Sequence, residues 1–184
     1  MAPLRAWAHR GLRRVLRDPA PRRPFTIGGI TVEVSGDRIR LSRGARRRLG
    51  ARPLVLPGAT PMPEIGRAIE VRCFPRTGEY TPPRGVDRVA FDADALPGPL
   101  SVRSRRAGDR FVPFGGPGER RLKSFLIDAR VPRWERDGLP LVVAGAEIIW
   151  IAGLRRAALA PVSGSTRRVL ELSWMPLAEP TGAE

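Results

Sequence analysis

The sequence predicts a β-rich α+β domain. From Phe25 onward, short apolar runs alternate with polar residues and are punctuated by Gly, Pro, Ser and Asp. Helical spacing of apolar residues is confined to the start of the chain and to one or two stretches between predicted strands. Apolar residues make up 42% of the 184 positions, enough to build a core.

The elements follow in order. Leu4, Trp7, Ala8, Leu12, Val15 and Leu16 fall on one face at helical spacing, with arginines on the remainder. "DPAPRRP" ends this helix, because each proline removes an amide donor and biases its predecessor away from helix. Residues 1–20 therefore read as an amphipathic helix, the remnant of an upstream helical domain. Residues 21–66 read as a β-hairpin, "GGITVEV" and "RIRLSR" about Ser35-Gly36-Asp37, followed by a Pro/Gly/Arg-rich connector with one brief strand at "PLVLP".

Residues 67–174 form the main domain. "RAIEVRCF", "DRVAFDAD" and "GPLSVRSR" are strands by composition. "ERRLKSFLIDAR" reads as a helix starting near Glu119, with Leu122, Phe125, Leu126 and Ala129 on one face. "PRWERDG" reads as a second short helix with Pro132 at its first position and Gly138 at its stop. "LPLVVA", "EIIWIAG" and "RRVLELSW" are strands, the first two joined by a tight turn at Gly145-Ala146. Residues 175–184 read as a disordered tail.

Several kinds of chemistry are excluded. Cys73 is the sole cysteine and His9 the sole histidine, so a Cys/His zinc site or a nucleophile paired with a second histidine cannot be built. "FGGPGERRLKS" lacks the glycine that a phosphate-wrapping loop needs before its Lys, and no G-x-G-x-x-G follows a strand. No run approaches the ~18 apolar residues of a membrane span. A cytoplasmic location without membrane contact is the expectation. No catalytic or metal-ligating residue is expected, and the carboxylates near the arginines are read as ion-pair partners. Asp109 is read as the hydrogen-bonding residue of a turn.

What remains is cationic. The net charge is +15, and of 33 basic residues only Lys123 is a lysine. The stretch "SVRSRRAGDRFVPFGG" and the residues after it gather Arg103, Arg105, Arg106, Arg110, Arg120, Arg121, Lys123, Arg133 and Arg136. Guanidinium forks suit phosphate oxygens, and cations spread over strand, turn and helix suit a run of phosphates better than one small anion. The alternative is a solvated face in an arginine-rich composition. Trp134 and Phe114 could stack on bases or belong to the core, with core the default for Trp134.

The order of pieces Arg-x-x-x-x-Gly-Asp-Arg-Phe, Leu-Lys-x-Phe, Ile-Asp-x-x-Val-Pro-x-x-x-Arg and Pro-Leu-Val resembles the C-terminal domain of tRNA(Ile)-lysidine synthase. The likeness is strong over residues 91–174 and loose before them. The resemblance implies a three-layer β-rich fold, shared with a domain of the phenylalanyl-tRNA synthetase β-subunit, and a role in contacting tRNA. It carries over Arg105, Gly108, Asp109, Arg110, Phe111, Leu122, Lys123, Phe125, Asp128, Pro132, Arg136, Pro140 and Leu141, whose cationic members are the binding candidates. The family ligates lysine to the wobble cytidine of an isoleucine tRNA, using ATP and magnesium in an ATP-pyrophosphatase domain marked by a Ser-Gly-Gly-x-Asp-Ser loop. This chain has no such loop. The resemblance therefore implies tRNA as partner, ATP and Mg bound elsewhere, and an upstream or separate ATP-pyrophosphatase domain. The alternative is a stand-alone RNA-binding module or tRNA chaperone without catalysis.

Overall fold

The computed structural model describes residues 13, 17, 23–43 and 48–177. The helix expected within residues 1–20 lies almost wholly outside them. Strands β1 (Phe25–Ile27), β2 (Ile30–Ser35) and β3 (Arg38–Ser42) form a small antiparallel sheet, so the expected hairpin is present with one more strand before it.

The segment expected as a connector with one brief strand at "PLVLP" instead supplies an edge strand to each of two larger sheets, on either side of that run, of which only Pro53 is in a strand. Strand β4 (Arg52–Pro53) closes one edge of a five-stranded sheet, and β5 (Gly58–Met62) closes one edge of a four-stranded sheet. Pro53 and Pro61 lack an amide donor, and an edge is where a strand tolerates that. The composition that reads as loop is here the composition of sheet edges.

The four-stranded sheet holds β5, then β6 (Arg67–Pro75), then β14 (Arg168–Pro176), then β7 (Arg88–Asp92). Strand β14 therefore extends through Met175 and Pro176, two residues into the segment expected as tail. The five-stranded sheet runs β13 (Arg155–Arg156), β12 (Glu147–Ile151), β11 (Leu141–Ala144), β8 (Leu100–Arg103), β4. A two-stranded ribbon of β9 (Arg110–Phe111) and β10 (Arg120–Arg121) leads into α1 (Leu122–Asp128).

Side-chain alternation on β11 assembles three layers. Val142 and Ala144 face the four-stranded sheet and pack with Val71, Phe91, Leu170 and Leu172. Leu141 and Val143 face the other way and pack with Leu122 and Leu126 of α1. On β12 the alternation slips: Ile149 and Trp150 both face the first core, and the register shifts beside them. Leu122 and Leu126 are 1% and 0% exposed; burial of such side chains contributes ~1.5–3 kcal/mol each.

The helix is shorter than expected. Arg120 and Arg121 pair with β9, and the Leu122 amide donates to the Asp109 carbonyl (2.9 Å), so helix begins only at Leu122. Three of its last carbonyls, those of Phe125, Leu126 and Ile127, are capped. Arg130 has φ 53°, its amide donates to the Ile127 carbonyl, and the Val131 amide donates to the Leu126 carbonyl. The second expected helix is absent. Residues 132–138 form two tight turns, with the Glu135 amide on the Pro132 carbonyl and the Gly138 amide on the Glu135 carbonyl. Seven residues are too few to nucleate a helix without tertiary help, and here Asp137 engages Arg105 and Ser104 while Arg136 bonds back to the Val131 carbonyl.

Candidate nucleic-acid interface

Strand β8 runs into a turn at residues 104–109 that the core holds from below. Arg103 lies opposite Leu141 and so points toward the helix layer, where it is 9% exposed. Its two terminal nitrogens donate to the two Asp109 oxygens, at 2.9 Å each, in a bidentate fork. Asp109 also accepts the Arg106 amide (2.6 Å), the turn bond expected of it. Burial pushes the Asp109 carboxyl up, but the bonds from Arg103 and the Arg106 amide, with the charges of both arginines, outweigh it and hold the group below its ordinary value. Gly108 sits at φ 86° in this turn, where a Cβ would strain the backbone.

Ser104 ties the turn to two remote segments. Its hydroxyl accepts the Leu49 amide (2.8 Å) and donates to the Asp137 carbonyl (2.8 Å). Nothing in the sequence singles out this serine, because both of its partners are backbone groups brought close only by the fold.

Above this support the cations converge. Arg110 lies across the β9–β10 ribbon from Arg121. With Arg105, Arg106 and Lys123 they line a cleft of about 550 Å³ whose one carboxylate, Asp109, is already bound by Arg103. Arg106, Arg121 and Lys123 are exposed and form no ion pair among the described residues. Arg110 pairs with Glu119, an exposed contact of the kind that contributes little and exchanges readily. Arg105 binds Asp137 at 2.6 Å.

The other expected site residues are placed differently. Arg103 is a correction: it is buried and held in its fork, so it supports the cleft rather than lining it. Arg120 turns away, pairing with Asp128 and lying 5.8 Å over the Phe125 ring. It stands on a strand, so it and Lys123 do not share a helix face. Arg133 and Arg136 stand on the turn segment beside Arg105. Burial, then the charges of Arg133 and Arg105, lower the Arg136 pKa, and its Nε–H donates to the Val131 carbonyl (2.8 Å). Phe111 and Phe125 belong to the helix-side core, their ring centroids 5.1 Å apart, whereas Phe114 is 47% exposed.

A larger depression of about 1000 Å³ lies between the β1–β3 sheet and the turn segment, but Glu33 and Glu135 stand there beside Arg40, Arg43 and Arg67, so it does not concentrate one sign of charge. Among the described residues no helix is long and apolar enough to cross a membrane.

The family described as the TilS substrate C-terminal domain matches residues 100–174. A crystal structure of a TilS C-terminal domain superposes with a TM-score of 0.57 at 34% identity, covering 67% of this chain and 93% of that one. This chain belongs to the tRNA(Ile)-lysidine synthase family, through its C-terminal domain. The tRNA(Ile)-lysidine synthase of Symbiobacterium thermophilum is 38% identical over 141 residues, which are 70% of this chain and 28% of that protein. The Geobacillus kaustophilus enzyme of the same name is 38% identical over 121 residues, 64% of this chain and 25% of its own length. The chain thus spans about a quarter of these relatives. The β-rich fold with one helix is that expected of a TilS C-terminal domain, and the cation cleft lies within the matched residues.

Proposed function

We propose that this chain is the tRNA-binding part of a tRNA(Ile)-lysidine synthase, and that the cleft of Arg105, Arg106, Arg110, Arg121 and Lys123 grips tRNA phosphates. ATP, magnesium and the ligation of lysine to the wobble cytidine then belong to an ATP-pyrophosphatase domain outside this sequence. The observation that carries the reading is the charge balance of the cleft: five cations against one carboxylate, itself neutralised from beneath. Arg106, Arg121 and Lys123 form no ion pair among the described residues, and Arg105 and Arg110 have their acids, Asp137 and Glu119, outside the cleft. On a turn braced by Ser104 and Asp109 these donors are preorganised for an anionic backbone.

Titrating an unmodified isoleucine tRNA transcript at several salt concentrations tests it. Each duplex phosphate neutralised should contribute ~0.9 to the slope of log affinity against log salt. Replacing Arg106 and Arg121 by Ala should weaken binding and lower that slope by about two units. A control pair of exposed arginines, Arg72→Ala on β6 with Arg167→Ala just before β14, should leave both nearly unchanged. Equal losses from the two pairs would mean diffuse attraction and no site.

A further inference from the structure

A second cleft, of about 500 Å³, lies at the far end of the β9–β10 ribbon. No carboxylate lines it, and three arginines do: Arg84, Arg155 and Arg156. None of the three forms an ion pair among the described residues. Arg156 is sandwiched between two rings, 4.6 Å from the centroid of buried Phe91 and 4.5 Å from that of Phe114. Its Nε–H and one terminal nitrogen donate to the carbonyls of Ala157 and Leu159. Burial depresses its pKa, the mark of a charge without a counter-ion.

Phe114 caps this stack while remaining 47% exposed, and it is fixed in place. Its amide donates to the Arg156 carbonyl (3.0 Å), and Pro113 bridges to Ala157. The opposite wall is equally firm. Its strap is pinned by the Tyr80 hydroxyl on Glu171 (3.0 Å) and by the Trp150 indole on the Val86 carbonyl (3.2 Å). A rigid, half-exposed ring backed by a guanidinium, with further arginines beside it and no acid, matches one chemistry: a flat aromatic group that carries a phosphate.

We propose that this cleft takes an unpaired nucleotide of the RNA held in the first cleft, its base stacked on Phe114 and its phosphate met by Arg84 and Arg155. The inference rests on the RNA-binding reading above. The ribbon supplies the link: Arg110 and Arg121 stand at its base and Phe114 four residues further on, at most ~14 Å of chain. That reach is within a few nucleotides of one strand.

The test uses the full chain and three probes: a blunt RNA duplex, the same duplex with a three-adenosine single-stranded extension, and adenosine monophosphate. The extension should tighten binding by about 5- to 150-fold, the range for stacking a base on an aromatic side chain. Phe114→Ala should erase that gain and leave blunt-duplex affinity unchanged, while Phe114→Trp should keep it and show indole emission quenched by the extended probe alone. The Arg106/Arg121 double variant should weaken both duplexes equally and preserve their ratio. Equal wild-type affinity for the two duplexes, or a ratio that survives Phe114→Ala, overturns the inference while leaving the first cleft standing. Failure of the blunt duplex to bind at all removes the first cleft instead. Saturable adenosine monophosphate binding that Phe114→Ala abolishes, with no gain from the extension, would make the cleft a mononucleotide pocket and overturn its assignment to RNA.

Discussion

Arg103 and Arg105 are two residues apart in one cationic run, yet they have opposite roles. The first is buried with both terminal nitrogens on Asp109, and the second lines the cleft. Replacing Arg103 by Ala strands a carboxylate that is only 10% exposed, and breaking such a pair costs ~3–5 kcal/mol. Urea unfolding should show that loss; a variant of unchanged stability and weakened RNA affinity would instead return Arg103 to the binding surface. Asp109 adds a pH dependence of known sign. Its carboxyl is held below the ordinary value in the folded state, so its stabilisation is complete above the unfolded value of ~3.9 and fades as pH falls through the folded one. The melting-temperature gap between wild type and Asp109→Asn should be widest above about pH 4 and should close in more acid solution; a gap constant down to pH 2 would deny the charge its part. The turn role of Asp109 was legible from residue type. The burial of Arg103 was not, because strand alternation reveals that a side chain changes face but not which face is covered.

At the scale of the element, α1 ends on Arg130 in the left-handed region, a conformation that costs a side chain with a Cβ ~1–2 kcal/mol. Arg130→Gly should therefore raise the urea midpoint by the equivalent of up to ~1 kcal/mol after the added freedom of the unfolded chain is subtracted, whereas Arg130→Ala should not. A destabilised glycine variant would mean that the arginine side chain itself holds the helix end. The spacing of Leu122, Phe125 and Leu126 located this helix, whereas Ala129, expected on the same face, lies just past its end and is exposed. Its start was hidden, because Arg120 and Arg121 have good helix propensity and are held instead by a two-residue ladder to β9. The same limit applies to residues 132–138, where proline at the front and glycine at the back resemble helix punctuation but serve two turns. Edge strands β4 and β5 were hidden by their prolines for the opposite reason: low propensity, overridden by a neighbour already in place.

For the whole molecule, the first cleft was visible in sequence because its cations fall close together along the chain. The second was not, because its stack joins Phe91, Phe114 and Arg156 from three separate strands and loops. The sequence contains no phosphate-wrapping loop, so calorimetric titration with MgATP should give no saturable magnesium-dependent binding in the micromolar range; such binding would contradict the division of labour proposed for the enzyme. Strand β14 has one further consequence. It lies between β6 and β7, which touch the rest of their sheet only through it or through β5. During synthesis β7 is finished ~75 residues before β14 begins, and at ribosomal speed it waits ~4–15 s with its ladder unfilled. A message cut short just before Arg168 would still encode every cation of both clefts, yet yield a chain whose middle strand never arrives, and it should behave genetically as a complete loss of this domain.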